Sequence, residues 1–168
     1  MDLHIVLFEP EIPQNTGNIA RTCAAIGATL HLVHPLGFSL EEKQLKRAGL
    51  DYWHLLTIVE HASIDEFLAT HTDKNLFFFT TKAERTYAEV SFPPETFLIF
   101  GRESAGIDEH ILVQQRQRCV RIPMRGQARS LNLSNSVAIA AYEYLRQTDF
   151  PGLMGQGSLH HLNWEEQR

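Results

Sequence analysis

LHIVLFEPEIPQNTGNIARTCAAIGATLHLVH, residues 3–34, sets two short apolar runs, 3–8 and 29–34, on either side of a segment with helical periodicity. Ile19, Cys23 and Ile26, with Ala20 and Ala24, share one helical face, and Gly27 supplies a C-terminal stop. Apolar runs this short, bounded by turn residues, read as buried strands, so the segment is a strand, a helix and a second strand. The same reading predicts strands over 55–59, 75–81, 97–101 and 119–123, and helices over 62–71 and 107–115. Strands that alternate with helices imply an α/β fold, a mostly parallel sheet with helices on both faces. No internal repeat or low-complexity linker interrupts the pattern.

With 168 residues, 43% of them hydrophobic, the chain is long enough for one domain with a real core and short for two. We expect a single domain over 1–150 and a flexible tail over 151–168, where Gly152, Gly155 and Gly157 precede polar residues. Cys23 and Cys119 form no CxxC pair, which argues against a disulfide scaffold or a zinc ribbon and suits the cytoplasm. The N-terminus resembles neither a signal nor a transit peptide, and no run reaches the roughly 20 apolar residues that span a bilayer, so no membrane partner is expected. The nine histidines are dispersed: His31 and His34 lie three apart on a strand and face opposite sides, and His160 and His161 sit in the tail. No metal is therefore expected, because ligands must converge.

In open α/β sheets ligands bind outside the carboxyl ends of the strands, which directs attention to three loops. EPEIPQNTGNIAR (9–21) is stiffened by Pro10 and Pro13; Asn15 or Thr16 is placed to cap the helix, and Arg21 follows within two turns. It lacks the glycine fingerprint of a dinucleotide fold, and it is not a P-loop. Either it is an ordinary cap with a solvated arginine or it carries ligand contacts. GRESAGIDEH (101–110) holds Gly101 and Gly106, which serve either a close ligand approach or a plain turn, and Glu103, which either binds a cofactor hydroxyl or amine or pairs with Arg102.

The third loop lies in CVRIPMRGQARSLNLSNSVAIAAYE (119–143). Arg116, Arg118, Arg121, Arg125 and Arg129 fall between His110 and Tyr142 with no carboxylate among them, contributing +5 to a chain of formal charge -5, so the remainder sums to -10. A basic run inside an acidic chain is either a footprint for a nucleic-acid backbone or a solvated face. Ser130, Asn132, Ser134 and Asn135 exceed what capping one helix requires, and the surplus suggests groups aimed at a polar ligand near a helix N-terminus. The helix that follows is apolar nearly all round, which predicts burial on both sides and a homodimer.

NTGNIAR (15–21), FGRESAGI (100–107) and IPMRGQARSLNLSNSVAIAAYE (122–143), in this order and spacing, resemble the three motifs of the SPOUT (SpoU/TrmH-type) RNA 2′-O-ribose methyltransferases. The likeness runs on through KRAGLDYW (46–53) to LRQTDFPG (145–152), and within the family the chain is most similar to the minimal TrmL (YibK) type, which methylates the wobble ribose of tRNA. The resemblance implies S-adenosylmethionine as methyl donor, a C-terminal trefoil knot (the SPOUT, or alpha-beta knot, fold) and a homodimer.

Carried over residue by residue, it implies a cofactor pocket of Phe79, Thr80, Gly101, Glu103, Ile122, Met124, Ser130 and Leu131. It gives Arg21 of the partner subunit a place at the methyl-transfer point, with Asn15, Glu103, Ser130 and Asn132 ordering the reacting groups. A guanidinium is effectively always protonated, so an arginine suits phosphate binding and alkoxide stabilisation better than general-base work. The chain departs from the family pattern at Arg102, where proline is frequent, and at Ala105, where an arginine can occur. Arg125, Arg129 and the Lys43, Lys46, Arg47 cluster are candidates to contact RNA instead, the cluster being otherwise an exposed helical face.

Longer members carry an added RNA-binding domain, so this dimer is expected to recognise tRNA with its own surface, which suits an anticodon loop. The alternatives are a ribose methyltransferase for another tRNA or rRNA site and a non-catalytic RNA-binding module. A nicotinamide-dependent oxidoreductase is disfavoured by the missing glycine fingerprint.

Overall fold

The computed structural model describes residues 2–40, 53–162 and 164. Six parallel strands form one sheet: β1 (Leu3–Phe8), β2 (Thr29–Val33), β3 (Thr57–His61), β4 (Asn75–Phe79), β5 (Thr96–Phe100) and β6 (Cys119–Val120), in the order β3-β2-β1-β5-β4-β6. Four α-helices lie among the described residues: α1 (Pro13–Ile26), α2 (Ile64–Thr70), α3 (Glu109–Gln114) and α4 (Leu133–Gln147). Helices cover both faces, as the alternation of strand and helix predicted. No helix among the described residues is long and apolar enough to cross a membrane.

Period-two alternation distributes the core. Leu3, Ile5, Leu7, Leu30, Leu32, Leu98 and Phe100 face α1 and α4, whose Ile19, Cys23, Ile26, Val137, Ala140 and Leu145 close that layer. Val6, Phe8, Val33, Phe78, Phe97 and Ile99 face the other way and pack with Phe67 of α2 and Leu112 of α3. Both faces are apolar because a sheet carrying helices on each side has no solvated face. Burial pushes the Cys23 thiol up to about 12 and raises that of Cys119, so both are inert packing groups rather than nucleophiles.

Several element boundaries differ from expectation. The strand predicted over 55–59 runs instead from Thr57 to His61, because Leu55 closes a 3-10 turn and the register with β2 carries pairing on through Glu60 and His61. The strand predicted over 119–123 stops pairing with β4 at Val120; beyond it the Arg121 backbone turns to Arg85 and Tyr87, 3.0 and 2.9 Å away. The predicted stop at Gly27 is observed, with φ 72° and its N–H donating to the Cys23 carbonyl. Neither Asn15 nor Thr16 caps α1: the helix begins at Pro13, and both residues are buried inside its first turns.

The histidines are not dispersed in space. Parallel pairing brings His4, His31 and His61 side by side on the α2 face, and His71 at the end of α2 closes over them. Burial first, then the neighbouring His4, His61 and His71 rings, hold the His31 pKa down to about 3, so it is neutral at ordinary pH. His34 lies beyond the end of β2 and pairs with Glu60 at 2.7 Å.

Candidate active site

The loops that follow β4, β5 and β6 converge with the first turn of α1 and the N-terminus of α4 on a cleft of about 540 Å3. It lies at the carboxyl ends of the strands, beside the β1–β5 boundary, where the chain's winding reverses direction. Phe79, Thr80, Gly101, Glu103, Ile122, Met124, Ser130 and Leu131, all eight residues named for the cofactor pocket, line it. Asn15, Asn132 and Arg129 line it as well.

A chain of hydrogen bonds orders one wall. The Glu103 carboxylate accepts from the backbone N–H groups of Glu11 and Ile12, at 2.8 and 3.2 Å, and from the Asn15 amide at 3.1 Å. Asn15 in turn accepts at Oδ1 from the Asn132 amide, 3.0 Å away. The Asn132 oxygen caps α4, accepting from the N–H of Ser134 at 2.9 Å and from its hydroxyl at 2.7 Å. A carboxylate from the β5 loop thus holds Glu11 and Ile12, the two residues that lead into α1. A negative charge is favoured there, because it meets two backbone N–H donors beside the positive end of the helix dipole.

Glu11 reciprocates. Its carboxylate accepts from the Ser104 N–H at 2.9 Å and the Ser104 hydroxyl at 2.8 Å, so the two loops clasp each other twice. The Ser104 hydroxyl, then its N–H, hold the Glu11 carboxyl below the usual carboxylate range. Sequence reasoning passed over Glu11; two acids flanking a proline in a stiffened loop were the available signal. The pairing considered between Glu103 and Arg102 does not form: Arg102 meets Glu9 at 3.2 Å, which frees Glu103 for the clasp. Gly101 is required by the loop itself, since a Cβ there would stand 2.2 Å from the Gly106 carbonyl carbon.

Arg21 lies outside this cleft. It lines a neighbouring hollow of about 410 Å3 between α1 and α4, with Asn18, Ser134, Asn135 and Tyr142. On the outer side of α4, Ile139 and Tyr142 are exposed at 37% and 49%, while Val137, Ala140 and Ala141 are buried. Arg125 and Arg129 are both exposed, Arg129 on the cleft wall. Arg116 finds an acid that the local sequence does not show, pairing with Glu84 at 2.8 Å, so the basic run is free of acids only along the chain. Lys43, Lys46 and Arg47 lie outside the described residues.

The cleft's size and composition fit a nucleoside-bearing ligand. Its volume is that of a small-molecule site. Phe79, Ile122, Met124 and Leu131 offer apolar surface to a flat base, and Thr80, Ser130 and Glu103 offer polar groups to hydroxyls and an amine.

Comparison with known proteins agrees. The family model described as the SpoU rRNA Methylase family matches residues 2–142. The tRNA (cytidine(34)-2′-O)-methyltransferase of Methylovorus glucosotrophus is 48% identical over 88% of this chain and 97% of its own length. A solved structure addressing the 2-OH methylation of C/U34 on tRNA superposes with a TM-score of 0.83 at 47% identity, covering 88% of this chain and 96% of that one. The SpoU methyltransferase AviRb from Streptomyces viridochromogenes, in complex with AdoMet, shares the fold at a TM-score of 0.77, with 24% identity over 87% of this chain and 57% of its own. A match that takes in all six strands, the three cleft loops and most of α4 leaves one assignment: the chain belongs to the SpoU rRNA methylase family.

Proposed function

We propose that this protein methylates the ribose 2′-hydroxyl of the tRNA wobble nucleotide, cytidine or uridine 34, with S-adenosylmethionine as donor. The observation that carries the reading is the linked trio Glu103, Asn15 and Asn132 on the wall of a nucleoside-sized cleft, in a chain of this family. When bound, S-adenosylmethionine supplies a sulfonium-activated methyl group, which the ribose 2′-oxygen takes as the methyl–sulfur bond breaks. The chain's own task is positioning, since an in-line transfer rewards alignment above all.

Phe79, Ile122, Met124 and Leu131 hold the adenine, and Thr80, Gly101, Glu103 and Ser130 hold the ribose and the amino-acid end. Glu103 keeps the loop after β1 in register with the loop after β5, and Asn15 and Asn132 transmit that register to the start of α4. Arg21 acts in the cleft of a second copy, holding the substrate phosphate and stabilising charge on the 2′-oxygen, while phosphate or solvent takes the proton. One preorganised donor of this kind contributes ~3 kcal/mol. Arg125 and Arg129 hold RNA phosphates, joined by Lys43 and Arg47.

A homodimer is part of this reading, supported by the exposed Ile139 and Tyr142 on α4, Tyr142 lining the same hollow as Arg21. So are the C-terminal trefoil knot, the catalytic domain over 1–150, the tail over 151–168 and a cytoplasmic place of work, where tRNA is found. Residues 151–162 carry no helix or strand, which supports the tail; 163 and 165–168 lie outside the described residues. The decisive experiment incubates the protein with S-adenosylmethionine and bulk tRNA and maps new 2′-O-methyl nucleosides by mass spectrometry. Methylation at position 34 is expected. Methylation at another tRNA or ribosomal site would redirect the assignment, and no product at all would leave a binding module. Sedimentation at micromolar concentration should give a dimer.

A further inference from the structure

We propose that His31, His61 and His71 form a structural site for one divalent transition-metal ion of the zinc class, apart from the methyl-transfer cleft. His31 comes from the middle of β2, His61 ends β3 and His71 follows α2, and one ligand nitrogen from each lies within 4.8 Å of the other two. None of the three lines the cleft. Their spacing along the sequence hides this convergence, which parallel strand pairing creates.

The outer nitrogens make the trio more than a cluster. Histidines that ligate metals commonly give their second ring nitrogen to a carboxylate, a carbonyl or another acceptor, which fixes tautomer and orientation. Here His61 Nδ1 faces the Glu66 carboxylate at 3.5 Å. His71 Nδ1 donates to the Phe67 carbonyl at 2.8 Å, leaving its Nε2 lone pair free. His31 Nε2 meets His4 Nδ1 at 2.9 Å. The inner nitrogens, His31 Nδ1 and His61 Nε2, stand 2.9 Å apart, with one proton required between them in the metal-free chain. That proton fixes one order: His61 keeps its Nδ1 hydrogen toward Glu66, His31 donates to His61 and His4 donates to His31. Loading a metal needs a tautomer change in His31 and His4, so that His31 donates to His4 and turns its Nδ1 lone pair inward. That change moves protons within His31 and His4 and alters the proton count of neither ring.

The required movement is small. Zinc–nitrogen bonds of about 2.0–2.1 Å at tetrahedral angles put ligand nitrogens about 3.4 Å apart. The close pair must open by about half an ångström, and His71, half-buried at the end of a short helix, must swing in. Phe67 stacks on His71 with centroids 4.3 Å apart, and Phe97 lies 5.2 Å from it, so apolar walls already orient the ring. Three imidazoles without a thiolate favour zinc, cobalt, nickel or copper over magnesium and calcium. A metal here would tie β2, β3 and α2 together.

The test uses the full chain, stripped with chelator and titrated with Zn(II) by calorimetry and with Co(II) by visible absorption. One equivalent per chain is expected, together with a zinc-dependent rise in melting temperature. His71→Gln should weaken binding at least 30-fold, and the tail double variant His160→Gln/His161→Gln should bind as the parent does. Proton NMR of the unaltered chain supplies a readout that needs no variant: zinc should shift the ring signals of His31, His61 and His71. Failure to bind stoichiometrically, unchanged binding in His71→Gln, or shifts confined to His160 and His161 would overturn the proposal.

Discussion

Glu103→Gln tests the loop clasp with minimal change of shape. The carboxylate receives three N–H donors, two on Oε1 and one on Oε2. A glutamine can keep its carbonyl toward Ile12 and Asn15, but its NH2 then confronts the Glu11 N–H, a donor facing a donor. One charge-assisted bond is lost, and two fall to neutral strength. Hydrogen bonds to charged groups contribute about 1.5–3 kcal/mol and neutral ones about 1 kcal/mol. Glu103 is half-buried, so water recovers part of the loss, and a net cost of about 2 kcal/mol follows. In a chain of this size that lowers the melting temperature by about 4–8 °C. Borne fully by the transition state, it lowers kcat/KM about 30-fold. The assays are thermal unfolding and transfer of labelled methyl from S-adenosylmethionine to tRNA. Asn15→Ala, alone and combined with Glu103→Gln, completes a cycle in which the pair should couple by at least ~0.5 kcal/mol. Melting within about 1 °C of the parent, activity within about threefold and additive effects would together refute the clasp, whose bonds would then carry no measurable energy.

Arg21→Lys should reduce methyl transfer about 100-fold, the rate equivalent of ~3 kcal/mol, while S-adenosylhomocysteine binds with parental affinity in calorimetry; near-normal turnover would refute the role given to Arg21. Gly101→Ala drives a methyl group to within 2.2 Å of the Gly106 backbone, so the β5 loop must move and cofactor binding should fall at least tenfold in the same calorimetric assay. Cys23 and Cys119 should both resist a thiol reagent at pH 8 in the native protein and react at once in denaturant, since burial raises both thiols; a fast native phase would show that one of them is accessible.

Sequence alone determined the architecture, because period-two and helical apolar patterns are local properties that survive without knowledge of partners. The buried face of α1, with Ile19, Cys23 and Ile26, was legible from spacing, and so was the stop at Gly27. Most residues lining the cleft were legible through the motif resemblance, since each motif is contiguous in sequence; Phe79 and Thr80, at the end of β4, lie outside the three motifs. Boundaries at 57–61 and 119–120 were not, because an edge strand ends where its neighbour's backbone turns away, a fact about the neighbour. The tertiary structure alone decided what the polar residues do. Asn15 reads as a helix cap until the fold sets it inside α1 with its amide donating to Glu103, 88 positions away. Arg116 reads as an unopposed charge until Glu84 is set beside it, and His31 reads as an isolated histidine until β3 and α2 bring His61 and His71 against it. The physical reason is common to all three: a polar side chain's role is fixed by which donor or acceptor lies within about 3 Å of it, and folding, not chain order, chooses that neighbour.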